Sequence, residues 1–64
     1  MLRNRVKEMR KELKMTQASL CKKAGISRTT LDKIENGDTV NIKTSTITKI
    51  AYALNSPADK VFYF

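Results

Sequence analysis

Two intervals bounded by a cap residue and a glycine, Thr16 to Gly25 and Ser27 to Gly37, dictate most of what this chain can become. Thr and Ser side chains accept hydrogen bonds from the unpaired amides of a first helical turn. Glycine takes the left-handed conformation that ends a helix at no steric cost. Each interval therefore reads as one short helix, and Ile26 alone separates the closing glycine from the next cap.

The flanks read in the same way. Leu2, Val6, Met9 and Leu13 follow a helical spacing and predict an amphipathic first helix over 2–13. Asp38–Lys43 reads as a loop with Val40 and Ile42 turned inward. Thr44 or Ser45 predicts the cap of a fourth helix with the stripe Ile47, Ile50, Ala51 and Leu54. Ser56-Pro57-Ala58-Asp59 predicts a fifth, with a cap serine, proline at the first position and an acid near the positive dipole end. Val61–Phe64 either finishes that turn or extends as a short strand. The expected architecture is an all-α bundle of five short helices, a single domain over 1–64 with its central motif at about 16–37.

Composition then narrows the function. A chain of 64 residues buries little of its surface, and this one has no histidine and a single cysteine, Cys21. A four-ligand zinc site or an intrachain disulfide has no residues to build it. One free thiol suits a reducing compartment, where Cys21 acts as a compact hydrophobe. No apolar run approaches the roughly 20 residues needed to cross a bilayer. The charged stretch Met1–Arg5 does not read as a signal peptide. The first helix is amphipathic and cationic, but its apolar face is needed to close so small a core. The expectation is a cytoplasmic protein without membrane, metal or cofactor. Enzymatic activity is not expected, because no nucleophile has an evident base and no glycine-rich phosphate loop exists.

Thirteen Lys and Arg face six Asp and Glu, a net +7, and eight of the cations with only two of the anions lie in residues 1–23. Such asymmetry attracts polyanions. Residues 16–37 show how one could be read. Leu20, Ala24, Ile26, Leu31 and Ile34 supply an inward face, Ala18 or Cys21 the small residue at a close crossing, and Gly25 the turn. These are the requirements of a helix-turn-helix. At about 100° per residue, Leu31 and Ile34 point one way along the second motif helix. Thr29, Lys33 and Asn36 then point the other way, Asp32 lies on the flank, Glu35 borders the core, and Arg28 stands at the helix start. A guanidinium, a hydroxyl with its methyl and an ammonium are groups that read base edges in a groove about 12 Å wide.

The run Thr16-Gln17-x-x-Leu20-x-x-x-x-Gly25-Ile26-Ser27-x-x-Thr30-Leu31-x-x-Ile34-Glu35-Asn36-Gly37 resembles the DNA-binding domain of phage repressor, Cro and related bacterial regulators. The likeness extends to Lys49–Asn55 and Pro57–Phe62, nearly the whole chain. The resemblance implies a lambda-repressor-like bundle whose second and third helices form the motif. It implies that Arg28, Thr29, Lys33 and Ser27 face bases or adjacent phosphates, and that Gln17 and Thr30 contact the backbone; Thr16, Asn36 and Lys43 complete the expected phosphate set. It also implies a structural ion pair between Arg10 and Glu35. Two features depart from the family pattern. Asp38 stands where many relatives carry a cation, and Asp32, which reads as a tolerated acid on the flank, sits on the recognition helix.

Tyr52 falls outside its helical stripe, and Tyr63 and Phe64 have no place in the expected core. Together with Phe62, whose family position also fills the core, they form the expected homodimer interface on the fourth helix, the fifth helix and the tail. The resemblance implies a tail strand paired across the two-fold axis, as in some short relatives. The function that follows is a sequence-specific regulator, a repressor or autoregulator, bound to double-stranded DNA as a homodimer on a palindromic operator. The alternatives are a DNA-binding antitoxin, which would have a protein partner, and a restriction-modification controller.

Overall fold

The computed structural model describes residues 2–64; Met1, with which the charged amino-terminal stretch opens, lies outside the described residues. Five helices follow one another: α1 Val6–Glu12, α2 Gln17–Ala24, α3 Arg28–Glu35, α4 Thr44–Ala53 and α5 Ala58–Val61. Two short strands, β1 Arg3–Asn4 and β2 Phe62–Tyr63, pair antiparallel, Arg3 opposite Tyr63 and Asn4 opposite Phe62. The Arg5 amide extends this ribbon by donating to the Val61 carbonyl at 2.9 Å.

The motif helices obey their punctuation. Thr16 Oγ1 accepts from the Ser19 amide at 3.0 Å, and Ser27 Oγ accepts from the Thr30 amide at 3.1 Å. Gly25 closes α2 at φ 73°, its amide donating to the Cys21 carbonyl at 2.8 Å, and Gly37 follows α3 at φ 91°. The helix ends without glycine are harder to read. Lys14 and Asn55 adopt φ 56° and 53°, a conformation that asparagine tolerates and lysine seldom takes.

Several expectations at the flanks are corrected. The first helix begins at Val6, because residues 3 and 4 are drawn into the ribbon; Leu2 packs half-buried against the core from outside the helix. Leu13 follows the last turn and is exposed. Neither Thr44 nor Ser45 caps α4: Lys43 occupies the cap position, without a side-chain bond. Ser56 does not cap α5. Pro57 holds the extended cap conformation, at ψ 148°, and Ser56 Oγ donates back to the Leu54 carbonyl at 3.2 Å. In the loop after α3, Ile42 packs against the core while Val40 is exposed. Thr39 is buried in its place, donating to the Leu2 carbonyl at 2.7 Å.

One core holds these parts together. Val6, Leu20, Cys21, Ala24, Leu31, Ile34, Ile50, Ala51, Ala53, Leu54, Val61 and Phe62 are buried in it. Burial pushes the Cys21 thiol up, against a smaller opposing pull from Arg28, so it stays a packing group rather than a nucleophilic thiolate. Among the described residues, no helix is long and apolar enough to cross a membrane. The strand at the tail is paired, but with residues 3–4 of its own chain, and Phe62 is sealed in the core. Phe62 is thereby corrected from an interface residue to a core residue, while the tail strand has β1 on one of its two edges.

The two tail phenylalanines should behave oppositely. Phe62→Ala removes a buried ring and should cost about 3–5 kcal/mol in urea unfolding. Phe64, 92% exposed, should tolerate alanine within about 0.5 kcal/mol.

Candidate nucleic-acid interface

The third helix touches the core along a narrow line. Leu31 and Ile34 are buried and Thr30 and Glu35 half-buried, whereas Arg28, Thr29, Asp32 and Lys33 are exposed. The α2–α3 turn fixes where this helix starts. Ile26 packs against the core, and Ser27 presents its hydroxyl to the first turn, meeting Thr30 Oγ1 at 2.9 Å as well as the Thr30 amide. The Ser27 hydroxyl is thus engaged at the cap.

A buried ion pair clamps the same helix from the other side. Arg10 Nε donates to Glu35 Oε2 at 2.8 Å and Nη2 to Glu35 Oε1 at 3.2 Å, with side-chain exposures of 10% and 4%. Arg10 Nη1 donates to the Met15 carbonyl at 2.9 Å, and the Met15 amide returns a bond to the Arg10 carbonyl at 3.0 Å. The guanidinium so joins α1, the α1–α2 turn and α3. Its hydrogen bond to Glu35 holds it more firmly protonated than an ordinary arginine, outweighing the opposing effect of burial. This is the one salt bridge among the described residues.

Gln17 extends that joint to the surface. Its Nε2 donates to Glu35 Oε1 at 3.1 Å and to Asp32 Oδ1 at 2.8 Å, and its Oε1 accepts from Arg28 Nη2 at 2.9 Å. Both amide hydrogens and the amide oxygen of Gln17 are thus engaged within the DNA-free protein. Asp32, read from the sequence as a tolerated flank, is a partner in this network. The available signal was its position one turn beyond Arg28, the spacing at which helical side chains meet.

Thr30, Lys33 and Lys43 line one cleft between α3 and the loop into α4, together with Asp38, Asn41 and Thr46. Two lysines and two threonines thus border one cleft, which also includes Asp38. Asn36 is not part of this set. It borders a second groove formed with Leu2, Arg3, Asn4, Tyr63 and Phe64. Thr16 is exposed at the start of α2 with its oxygen engaged at the cap. Asn4 drew no attention in the sequence, where nothing sets it apart. Its Oδ1 accepts from the Val6 amide at 3.1 Å and its Nδ2 donates to the Ile34 carbonyl at 2.9 Å, tying the ribbon to both α1 and the end of α3.

Two short helices joined by a tight turn, the second presenting Arg28, Thr29 and Lys33 on its outer face, have the geometry of a helix-turn-helix. A sequence model described as helix-turn-helix matches residues 6–61, all five helices. The chain belongs to the helix-turn-helix family. It is also 35% identical over 63 residues to an uncharacterized HTH-type transcriptional regulator of Archaeoglobus fulgidus, a match covering 98% of this chain and 87% of that one. This helix-turn-helix protein is a DNA-binding protein of the Cro/C1 type rather than an enzyme.

The clamp can be weighed by its effect on stability. Glu35→Gln or Arg10→Met alone leaves a buried charge without its counterpart and should cost about 3–5 kcal/mol in denaturant unfolding. Arg10→Met with Glu35→Leu should be much less costly than the sum of the two singles, because no uncompensated charge remains.

Proposed function

We propose that this DNA-binding transcription regulator acts in the cytoplasm as a repressor or autoregulator, binding a palindromic operator as a homodimer. The observation that carries its sequence-specific reading is the outer face of α3, where Arg28, Thr29 and Lys33 are exposed while Leu31 and Ile34 fill the core.

In this reading α3 enters the major groove with its amino end foremost. The Arg28 guanidinium donates to guanine O6 and N7, Thr29 packs its methyl on thymine, and Lys33 donates to a guanine or a neighbouring phosphate. The hydroxyl of Thr30 and the ammonium of Lys43, gathered at one cleft, take phosphates of the adjoining backbone. Thr16 offers its hydroxyl and the first amides of α2 to a phosphate on the other side. Ser27 acts through the cap that sets the start of α3. The remaining cations raise encounter rates and general affinity by releasing counterions.

Two-fold pairing would set two α3 helices one DNA turn apart, about 34 Å, matching two half-sites. Tyr52, 78% exposed on α4, and the exposed Phe64 are apolar groups without a place in the core and support such an interface. Tyr63 is half-buried under the Arg5 guanidinium, which lies 5.0 Å from its ring centroid, so it contributes an edge rather than a free face.

Binding-site selection from random duplexes should return an inverted repeat for the wild type. Arg28→Ala should lose preference at one base pair per half-site, a contact worth about 1–3 kcal/mol. An unchanged base preference would sink the assignment of Arg28. Lys43→Ala should instead weaken all sequences alike and lower the slope of log affinity against log salt by about one in anisotropy titrations. In sedimentation, the wild type should run at twice the chain mass and Tyr52→Lys at the chain mass; a dimer that survives the substitution removes Tyr52 from the interface.

A further inference from the structure

We infer that Asp32 is a positioning residue: it sets the polarity of the Gln17 amide and thereby aims the Arg28 guanidinium at its base. This rests on the reading of Arg28 as a base contact and adds a determinant to it.

A glutamine amide has a donating end, with two hydrogens, and an accepting end, with none. The Gln17 amide lies among three charged groups, two carboxylates and one guanidinium. With Nε2 2.8 Å from Asp32 Oδ1 and 3.1 Å from Glu35 Oε1, both hydrogens meet acceptors, and Oε1 meets the Arg28 donor at 2.9 Å. Turned over, the amide would set its oxygen against two carboxylate oxygens and its hydrogens against a guanidinium. Every contact would then be repulsive. The carboxylates thus fix which end of Gln17 faces Arg28.

The two carboxylates are not equal in this. Glu35 already holds Arg10 through both oxygens, so its charge is compensated. Asp32 has no cation in salt-bridge contact among the described residues, and it makes the shorter of the two bonds to Gln17. It is also one helical turn from Arg28, where an aspartate and an arginine would ordinarily pair directly. Here Gln17 stands between them. The Arg28 guanidinium is held by a neutral oxygen through one hydrogen, and four of its five donors remain for a base.

The arrangement also accounts for an acid on the surface that meets a polyanion. Asp32 repels phosphate and lowers affinity for every sequence, while the orientation it imposes raises discrimination at the pair Arg28 reads. Charge and orientation can be separated. Asp32→Asn removes the charge but keeps an oxygen that accepts from Gln17; Asp32→Ala removes both.

The test compares wild type, Arg28→Ala, Asp32→Ala, Asp32→Asn and Gln17→Ala against duplexes carrying each base pair at the position where Arg28→Ala loses preference. Both Asp32 variants should bind non-specific duplex more tightly than wild type. Asp32→Ala and Gln17→Ala should lose about tenfold of the discrimination at that one position and none elsewhere, whereas Asp32→Asn should keep it. In the free protein, the Gln17 side-chain amide proton signals should move in Asp32→Ala and largely hold in Asp32→Asn. Discrimination equal to wild type in Asp32→Ala and Gln17→Ala, with Arg28→Ala impaired, overturns the positioning role alone. No loss of preference in Arg28→Ala overturns the base-reading assignment beneath it, and the positioning role with it. Equal losses in Asp32→Asn and Asp32→Ala would show charge to be the whole effect and also overturn it.

Discussion

The bidentate pair between Arg10 and Glu35 is the joint on which the remaining geometry depends. A helix that meets its core through Leu31 and Ile34 alone is held against translation but weakly against rotation about its own axis. Rotation is the freedom that would misdirect an outward-facing guanidinium. Glu35, on the border of the core, is gripped by a guanidinium whose third nitrogen is fixed to the Met15 carbonyl. A desolvated pair with its hydrogen bonds satisfied supplies orientation, and it adds little net stability over an apolar alternative. Its value here lies in direction.

The narrow inward line of α3 and its free outer face are one fact seen from two sides. A broader apolar stripe would anchor the helix better and leave fewer positions for polar readers. The chain resolves this by taking its extra anchoring from polar contacts at the helix ends: the Ser27 cap at the start, and the Asn4 amide on the Ile34 carbonyl and the Arg10–Glu35 pair at the close. Each of these leaves the solvent face of Arg28, Thr29 and Lys33 untouched.

Much of this was legible in the sequence. Cap and glycine signals act on their immediate neighbours, so Thr16, Gly25, Ser27 and Gly37 marked the motif to within a residue. The apolar stripe of α3 followed from Leu31 and Ile34 in the same local way. The ribbon was not legible as a pair, because strands two residues long carry no alternation, and what joins them is backbone. Asn4 and Thr39 were missed for a related reason: each makes its bond to a main-chain carbonyl 30 or more residues away, and nothing nearby announces it. The caps of α4 and α5 were misplaced by one residue where several candidates stood side by side. The phosphate contact of Gln17 was an expectation from the resemblance alone. Only the folded chain brings three competing partners to it at once.

The ribbon joining Arg3–Asn4 to Phe62–Tyr63 bridges the largest sequence separation in the molecule, and closing so long a loop carries the greatest entropic penalty of any pairing in it. Pairings of that kind form late and give way early when a small protein breathes. The first helix hangs between this seam and the guanidinium clamp. Opening at the seam therefore also strains the Asn4 bond to the Ile34 carbonyl, and leaves the Arg10–Glu35 pair as the side-chain tie between α1 and α3.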